Sequence, residues 1–439
     1  MTELLRLRRD ASLADGVLLE GHIQMRLGKL GPGLEQAVAL LVGDGADEAA
    51  LAGAAGEPEL MALQLLLRKL ETTGWLERVL VDENGEPVAT LSPVGHELVP
   101  VLVRPPVVVL SRFAFLRIDG GETVLETPRA SLRVTIHDPE AVLRVVALAQ
   151  PARSDDPLVR LLVRAGIAVA PGGEDGFALA QWSFADLLAH ARSRVGRNLG
   201  DYGGSYRFQG RFEPLAAVRE QFEPATALPA PDLAAVADGD PPFTQVLEAR
   251  RSIREHDDEA PMTAAQLGEF LYRVARVRGR FHDDRQELST RPYPSGGAAY
   301  ELELYPLVRL CAGVEPGLYH YDPEGHTLGL VAEPGPKTTL LLEYSRFTAQ
   351  MEQPPQVVIL LAARFGRVTW KYESMAYALV LKHVGVLYQT MYLVATAMGL
   401  APCSLGGGNS DAFAAASGLD YYAEPAVGEF ILGARLDAR

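Results

Sequence analysis

The chain has 439 residues, 48% of them hydrophobic and 22% charged, which describes a folded protein of two or three domains and excludes a disordered or fibrous one. A formal net charge of −15 argues against nucleic acid as a partner. Two distant cysteines, Cys311 and Cys403, with no C-x-x-C between them, give neither a disulfide framework nor a zinc site, and a cytoplasmic location is expected.

The N-terminal residues Met1 to Asp10 carry charge throughout and lack the apolar core of a signal segment. Helical periodicity then predicts helices over 33–42, 46–55 and 58–74, the last with Leu60, Leu63, Leu66, Leu67 and Leu70 on one face. Residues 75–81 and 87–91 read as strands around Asp82-Glu83-Asn84-Gly85-Glu86, a hairpin turn in which Asn-Gly favours positive φ. Three helices and a β-wing predict a winged-helix-like docking domain over residues 1–104. Its first hundred residues hold eight Lys/Arg against sixteen Asp/Glu, a balance of −8, so it is expected to dock peptide or protein and not DNA.

A second winged-helix-like unit is expected over 105–180. Asp119-Gly120-Gly121 joins two predicted strands, residues 132–136 alternate, and helical patterns follow over 139–149 and 156–165. Residues 181–195 form an amphipathic pattern, and the Gly-, Pro- and Ala-rich stretch after it completes a linker over 181–242. From 243 the texture is mixed α+β, with helices expected over 244–255, 263–274 and 374–400. Strands are expected over 302–311, 317–322, 357–362 and 427–434. The run 384–400 is interrupted by Tyr388, Gln389, Thr390 and Tyr392 and is short for a bilayer span, so no membrane is expected as a partner.

Four features of this last region carry chemistry. Arg250-Arg251-Ser252-Ile253-Arg254 offers three guanidinium forks and a hydroxyl suited to phosphate oxygens, or forms a solvated basic turn. Thr290-Arg291-Pro292-Tyr293-Pro294-Ser295-Gly296-Gly297 fixes the chain with prolines and lets a planar ligand approach through glycines, or is a turn before a strand. Leu400 to Asn409, with Ser404, Leu405, Gly406 and Gly407, presents unhindered backbone N–H groups for an anion or a ring edge. It is not expected to open a helix after a strand with Rossmann G-x-G-x-x-G spacing, and it lacks a Walker lysine. Lys371 and Tyr372, adjacent before the long apolar helix, can share a proton transfer in a closed site, or be a solvated cation and a packing ring. His320, His383 and Trp370 read as core residues.

Together, in this order, these elements resemble the FMN-dependent nitroreductase fold. They are closest to its SagB/McbC-type peptide dehydrogenases through Arg291 to Gly297, Gly317-Leu318-Tyr319-His320-Tyr321, Lys371-Tyr372 and Gln389-Thr390-Met391-Tyr392-Leu393. Residues 184–194 are similar to that family's linker helix. The resemblance implies a nitroreductase-like FMN-binding catalytic domain over 243–439, with Arg250, Arg251, Ser252, Arg254, Pro294, Ser295, Gly296, Gly297, Gln389, Ser404, Leu405, Gly406, Gly407 and Arg435 holding the cofactor and no metal. Lys371 and Tyr372 are then the catalytic pair, and either can be the base. The implied reaction is oxidation of thiazoline or oxazoline rings, made by a partner cyclodehydratase on a ribosomal peptide, to azoles, with dioxygen reoxidising the flavin. The long helix, apolar on nearly every side, is expected to be buried all round, and the resemblance implies an obligate homodimer packed through it. A nicotinamide-fed reductase of small nitro or alkene substrates is the competing enzyme class. A flavin-free scaffold is the non-enzymatic alternative, against which the intact Arg250, Ser252, Lys371 and Tyr372 count.

Overall fold

The computed structural model describes residues 1–21, 23–95 and 105–436, and the chain divides into two compact units, residues 1–202 and 203–439. The expected boundary at residue 104 lies outside the described residues.

In the first unit, α1 (Pro32–Val42), α2 (Glu48–Ala55) and α3 (Leu60–Thr72) stand where the periodicity puts them, α2 capped by Asp47, whose side chain accepts from the Ala50 N–H. Strands β1 (Thr2–Leu7), β2 (Leu76–Val81), β3 (Pro87–Pro93), β4 (Phe115–Asp119), β5 (Glu122–Glu126) and β6 (Leu132–Ile136) form one antiparallel sheet in the order β1-β2-β3-β6-β5-β4. The two hairpins therefore share a sheet, because β6 pairs with β3, Val134 opposite Leu91. This departs from two separate small units. The strand β1 was not legible as such, although Leu5 and Leu7 alternate into the core. Helices α4 (Pro139–Ala147), α5 (Pro157–Arg164) and α6 (Phe184–Arg192) follow, α5 capped by Asp156 and α6 by Ser183.

The second unit is built on a seven-stranded antiparallel sheet: β7 (Ala225–Ala227), β8 (Leu302–Val308), β9 (Gly317–Asp322), β10 (Thr327–Ala332), β11 (Val357–Ala363), β12 (Ala401–Leu405) and β13 (Ala426–Gly433). Its order is β7-β10-β9-β8-β11-β13-β12. Alternation along β11 sends Val357, Ile359 and Leu361 into one core and Val358, Leu360 and Ala362 into another, so helices cover both faces. One face carries α7 (Phe243–Ala249), α8 (Ala264–Ala275), α10 (Phe365–Thr369) and α11 (Ala376–Ala397). The other carries α9 (Pro336–Ala349) and α12 (Ser410–Ser417). Thr263 caps α8 in a full capping box with Gln266.

Four expectations change. Residues 203–242 belong to the second unit: β7 pairs with β10, and the irregular stretch before it is tied down by backbone and side-chain bonds, so composition alone misplaces the boundary. The helix expected over 244–255 stops at Ala249, and the chain runs extended so that the Ile253 N–H reaches the Pro402 carbonyl at 2.8 Å. Ala401–Leu405 is a strand, so the glycine turn does lie between a strand and a helix, though without G-x-G-x-x-G spacing. Helix α11 is buried on one side only: Val384, Leu387 and Met391 are inside, whereas Tyr377 (55%), Leu381 (47%) and Val386 (37%) are exposed. Among the described residues α11 is the one helix long and apolar enough to cross a membrane, yet its inner side packs in the core.

Candidate active site

Helix α11 positions two groups of residues. At its N-terminal end, Ser374 at φ +61° turns the chain from Lys371 and Tyr372 into the helix. The Ser295–Gly297 turn faces this pair. Lys371 Nζ donates to the Gly297 carbonyl at 3.4 Å, and a Cβ on Gly297, itself at φ +61°, would stand 2.3 Å from Tyr372 Oη and 2.7 Å from Lys371 Nζ. Only glycine leaves room for both functional groups there.

His383, on the second turn of α11, holds the same turn from beneath. The Gly296 N–H donates to its Nε2 at 2.8 Å, so the proton sits on Nδ1, which donates to the buried Glu301 carboxylate at 2.7 Å. Ser295 Oγ accepts from the Tyr300 N–H and lies 3.5 Å from the other Glu301 oxygen, while Pro294 is exposed. Glu301 thus ties both the serine and the histidine to the strand β8 that follows.

Toward the C-terminal end of α11, Tyr392 gathers three expected residues. Its hydroxyl bonds Ser252 Oγ at 2.7 Å and Ser404 Oγ at 3.2 Å and accepts the Ser404 N–H at 2.8 Å, while the Arg250 guanidinium lies 5.2 Å over its ring. Arg435 pairs by backbone with His256, a few residues past the arginine run. Among the described residues none of Arg250, Arg251, Arg254 or Arg435 has a carboxylate at ion-pair distance, so their charge is available to an anion.

A cleft of about 390 Å³ adjoins this group, lined by Tyr377, Val384 and Tyr388 of α11, by the Leu405–Ser410 turn and by β13. The turn opens α12, whose cap Asn409 accepts from the Ala412 N–H, so a helix start borders the cleft. Glu429 lies beneath it: a Cβ on Gly408 would come 2.7 Å from Glu429 Oε1. Burial pushes its carboxyl up to about 7, although Ser345 Oγ and the Asn409 N–H donate to it. Its own N–H donates to Tyr388 Oη at 2.6 Å.

The structure brings Lys371, Tyr372, Gly296 and Gly297 together, and separately Arg250, Ser252 and Ser404. Nine residues of helix separate His383 from Tyr392, about 13 Å, so the two groups are distinct within one chain. Gln389 lies on the exposed side of α11. Arg251, Arg254 and Arg435 are exposed, and Leu405, Gly406 and Gly407 line the cleft and its turn. Sequence reasoning placed Tyr392 in the Gln389–Leu393 segment without giving it a role, and missed Tyr388 and Glu429. The i, i+4 spacing of the two tyrosines was the available signal. Among the described residues, no group of three or more His, Cys, Asp or Glu could hold a metal ion.

The second unit matches the nitroreductase family over residues 247–433, and the cyanobactin oxidase ThcOx family matches residues 108–199. A putative nitroreductase of Methanocaldococcus jannaschii is 34% identical over 163 residues, 37% of this chain and 76% of that protein. The microcin B17-processing protein McbC of Escherichia coli is 32% identical over 115 residues, 25% of this chain and 42% of McbC, so less than half of McbC is spanned. The E. coli microcin synthetase McbBCD complex with truncated pro-MccB17 aligns at TM-score 0.36 and 21% identity, over 54% of this chain and 90% of that one.

Proposed function

Because the chain belongs to the nitroreductase family, with a SagB/McbC-type arrangement of its segments, we propose that it is an FMN-dependent dehydrogenase that converts azoline rings of a ribosomally made peptide to azoles. The observation that carries this reading is the convergence of Lys371 Nζ and Tyr372 Oη on Gly297, where a Cβ would displace both groups.

The residues fit FMN. Arg250, Arg251, Arg254 and Arg435 supply positive charge with no carboxylate at ion-pair distance among the described residues, Ser252 and Ser404 supply hydroxyls, and the Gly406–Gly408 turn and the cleft supply backbone donors and room for a flat ring. When bound, FMN takes up two electrons and passes them to dioxygen, so that azoline and O₂ become azole and H₂O₂.

The chain's own residues orient the ring and move a proton. Lys371 and Tyr372 are adjacent, face one turn and can take the proton from the azoline between them, one accepting and the other relaying. His383, neutral and anchored by Glu301, keeps the Gly296 N–H and therefore the turn in place.

Two copies pack through the exposed stripe of α11, and each site then takes residues from both; this joins the two groups that one chain keeps about 13 Å apart. The acidic first unit docks the precursor peptide or the cyclodehydratase. Incubation with an azoline-bearing peptide, read by mass for loss of two hydrogens, tests the reading. Lys371→Ala and Tyr372→Ala should abolish that loss with FMN retained, and full activity in Lys371→Ala would remove its assignment.

A further inference from the structure

Residues 203–217 belong to no regular helix or sheet strand, yet they are fastened to the segment that carries the Lys371–Tyr372 pair. Gly203 and Glu373 exchange both backbone bonds, at 3.3 and 2.9 Å, and Ser205 Oγ donates to the Glu373 carboxylate at 2.7 Å. The Tyr206 N–H donates to the Lys371 carbonyl at 3.2 Å. Farther along, Trp370 Nε1 donates to the Phe212 carbonyl at 2.8 Å, and Arg367 donates to the Leu215 carbonyl at 2.6 Å. A passive linker has no need of such bonds at both ends.

Tyr206 is the residue this strap delivers. It sits at φ +54°, a conformation side-chain-bearing residues rarely adopt and keep only where the surroundings over-determine it. Its ring meets Trp370 edge to face at 5.7 Å, and the Arg285 guanidinium lies 4.0 Å from its centre. Lys371 Nζ lies 5.9 Å from the centre of the Tyr206 ring and 5.6 Å from that of Tyr372. Lys371 Nζ therefore lies near two tyrosine rings, with the Gly297 carbonyl at 3.4 Å.

We propose that Tyr206 is a positioning residue for Lys371: its ring, braced by Arg285 and Trp370, holds Nζ over Gly297 for proton transfer by the Lys371–Tyr372 pair. The inference rests on the proton-transfer reading of that pair, but it concerns the surroundings of one amine and can be read without turnover. Two rings and a carbonyl attract a cation, so together they restrain the amine in position and hold back its acylation. Tyr206→Phe keeps the ring, whereas Tyr206→Leu keeps only apolar bulk.

The chain has five lysines, Lys29, Lys69, Lys337, Lys371 and Lys382, which makes residue-resolved acylation with an acetyl N-hydroxysuccinimide ester, followed by mass spectrometry, straightforward. In full-length protein, Tyr206→Leu should raise the Lys371 rate about fivefold, corresponding to about 1 kcal/mol of lost ring–cation attraction, with Lys337 and Lys382 unchanged. Tyr206→Phe should match the parent, and hydrogen exchange across 203–217 should not change in either variant. Turnover should follow the same order, with kcat falling in Tyr206→Leu and KM holding. Equal Lys371 rates in all three proteins would overturn the inference, as would a rise accompanied by faster exchange along the strap, because the strap would then merely cover the amine. If the labelling behaves as expected while the parent oxidises no azoline, the positioning inference stands and the proposed function falls.

Discussion

Replacing Glu429 by glutamine probes the floor of the cleft. Glu429 is 2% exposed, and burial raises its carboxyl from 4.5 to about 7 against the opposing hydrogen bonds of Ser345 and Asn409. Between those two values the folded chain keeps a proton that the unfolded chain has lost. Stability from this group is therefore complete below about pH 4.5 and falls as pH rises to about 7, by about 3 kcal/mol at 1.36 kcal/mol per unit. Glutamine keeps the shape and an acceptor oxygen but cannot ionise. By calorimetry at pH 8, the Glu429→Gln transition should lie higher than the parent's, by roughly 6–12 °C for a unit of this size, while at pH 5 the two should coincide or the parent should lead. A variant less stable than the parent by the same amount at pH 8 and pH 5 would refute the reasoning, because Glu429 would then be an ionised, favourably bonded carboxylate.

Other outcomes follow from single contacts. Gly297→Ala should cost at least about 100-fold in turnover and roughly 1 kcal/mol in stability, since its Cβ meets both Tyr372 Oη and Lys371 Nζ and φ is positive; paired kinetics and urea melts check it. Burial holds His256 down to about 4, so the unfolded chain protonates first as pH falls below 6.5. The second unit should lose about 3 kcal/mol by pH 4, visible as an acid slope in denaturation midpoints that His256→Asn flattens. Arg250→Ala should weaken FMN retention more than Ser252→Ala does, because the first removes a charge and the second a neutral hydroxyl; equilibrium dialysis ranks them.

Much of this architecture is legible in the sequence because local patterns decide it. The leucine face of α3, the Asp-Gly-Gly turn between β4 and β5 and the Thr263–Gln266 capping box each name their structure within a few residues. What escaped depends on distant partners. Ala401–Leu405 carries a proline and no clean alternation, and it is a strand because it lies at a sheet edge against β13, Pro402 opposite Leu432. Arg250 to Arg254 favours a helix by propensity, but Ile253 is drawn to the Pro402 carbonyl. The strap at 203–217 has a linker's composition and is ordered by groups at 367–373. In the same way, nothing near Glu429 in the chain announces a buried acid, whereas adjacency alone placed Lys371 beside Tyr372.

The central claim is tested most directly by mixing FMN-loaded protein with an azoline-bearing peptide without oxygen, then admitting air. The account predicts that the flavin band at about 450 nm bleaches, recovers in air, and leaves a peptide lighter by two hydrogens per ring. A band untouched by the azoline peptide but bleached rapidly by NADPH would contradict it and make the protein a nicotinamide-fed reductase.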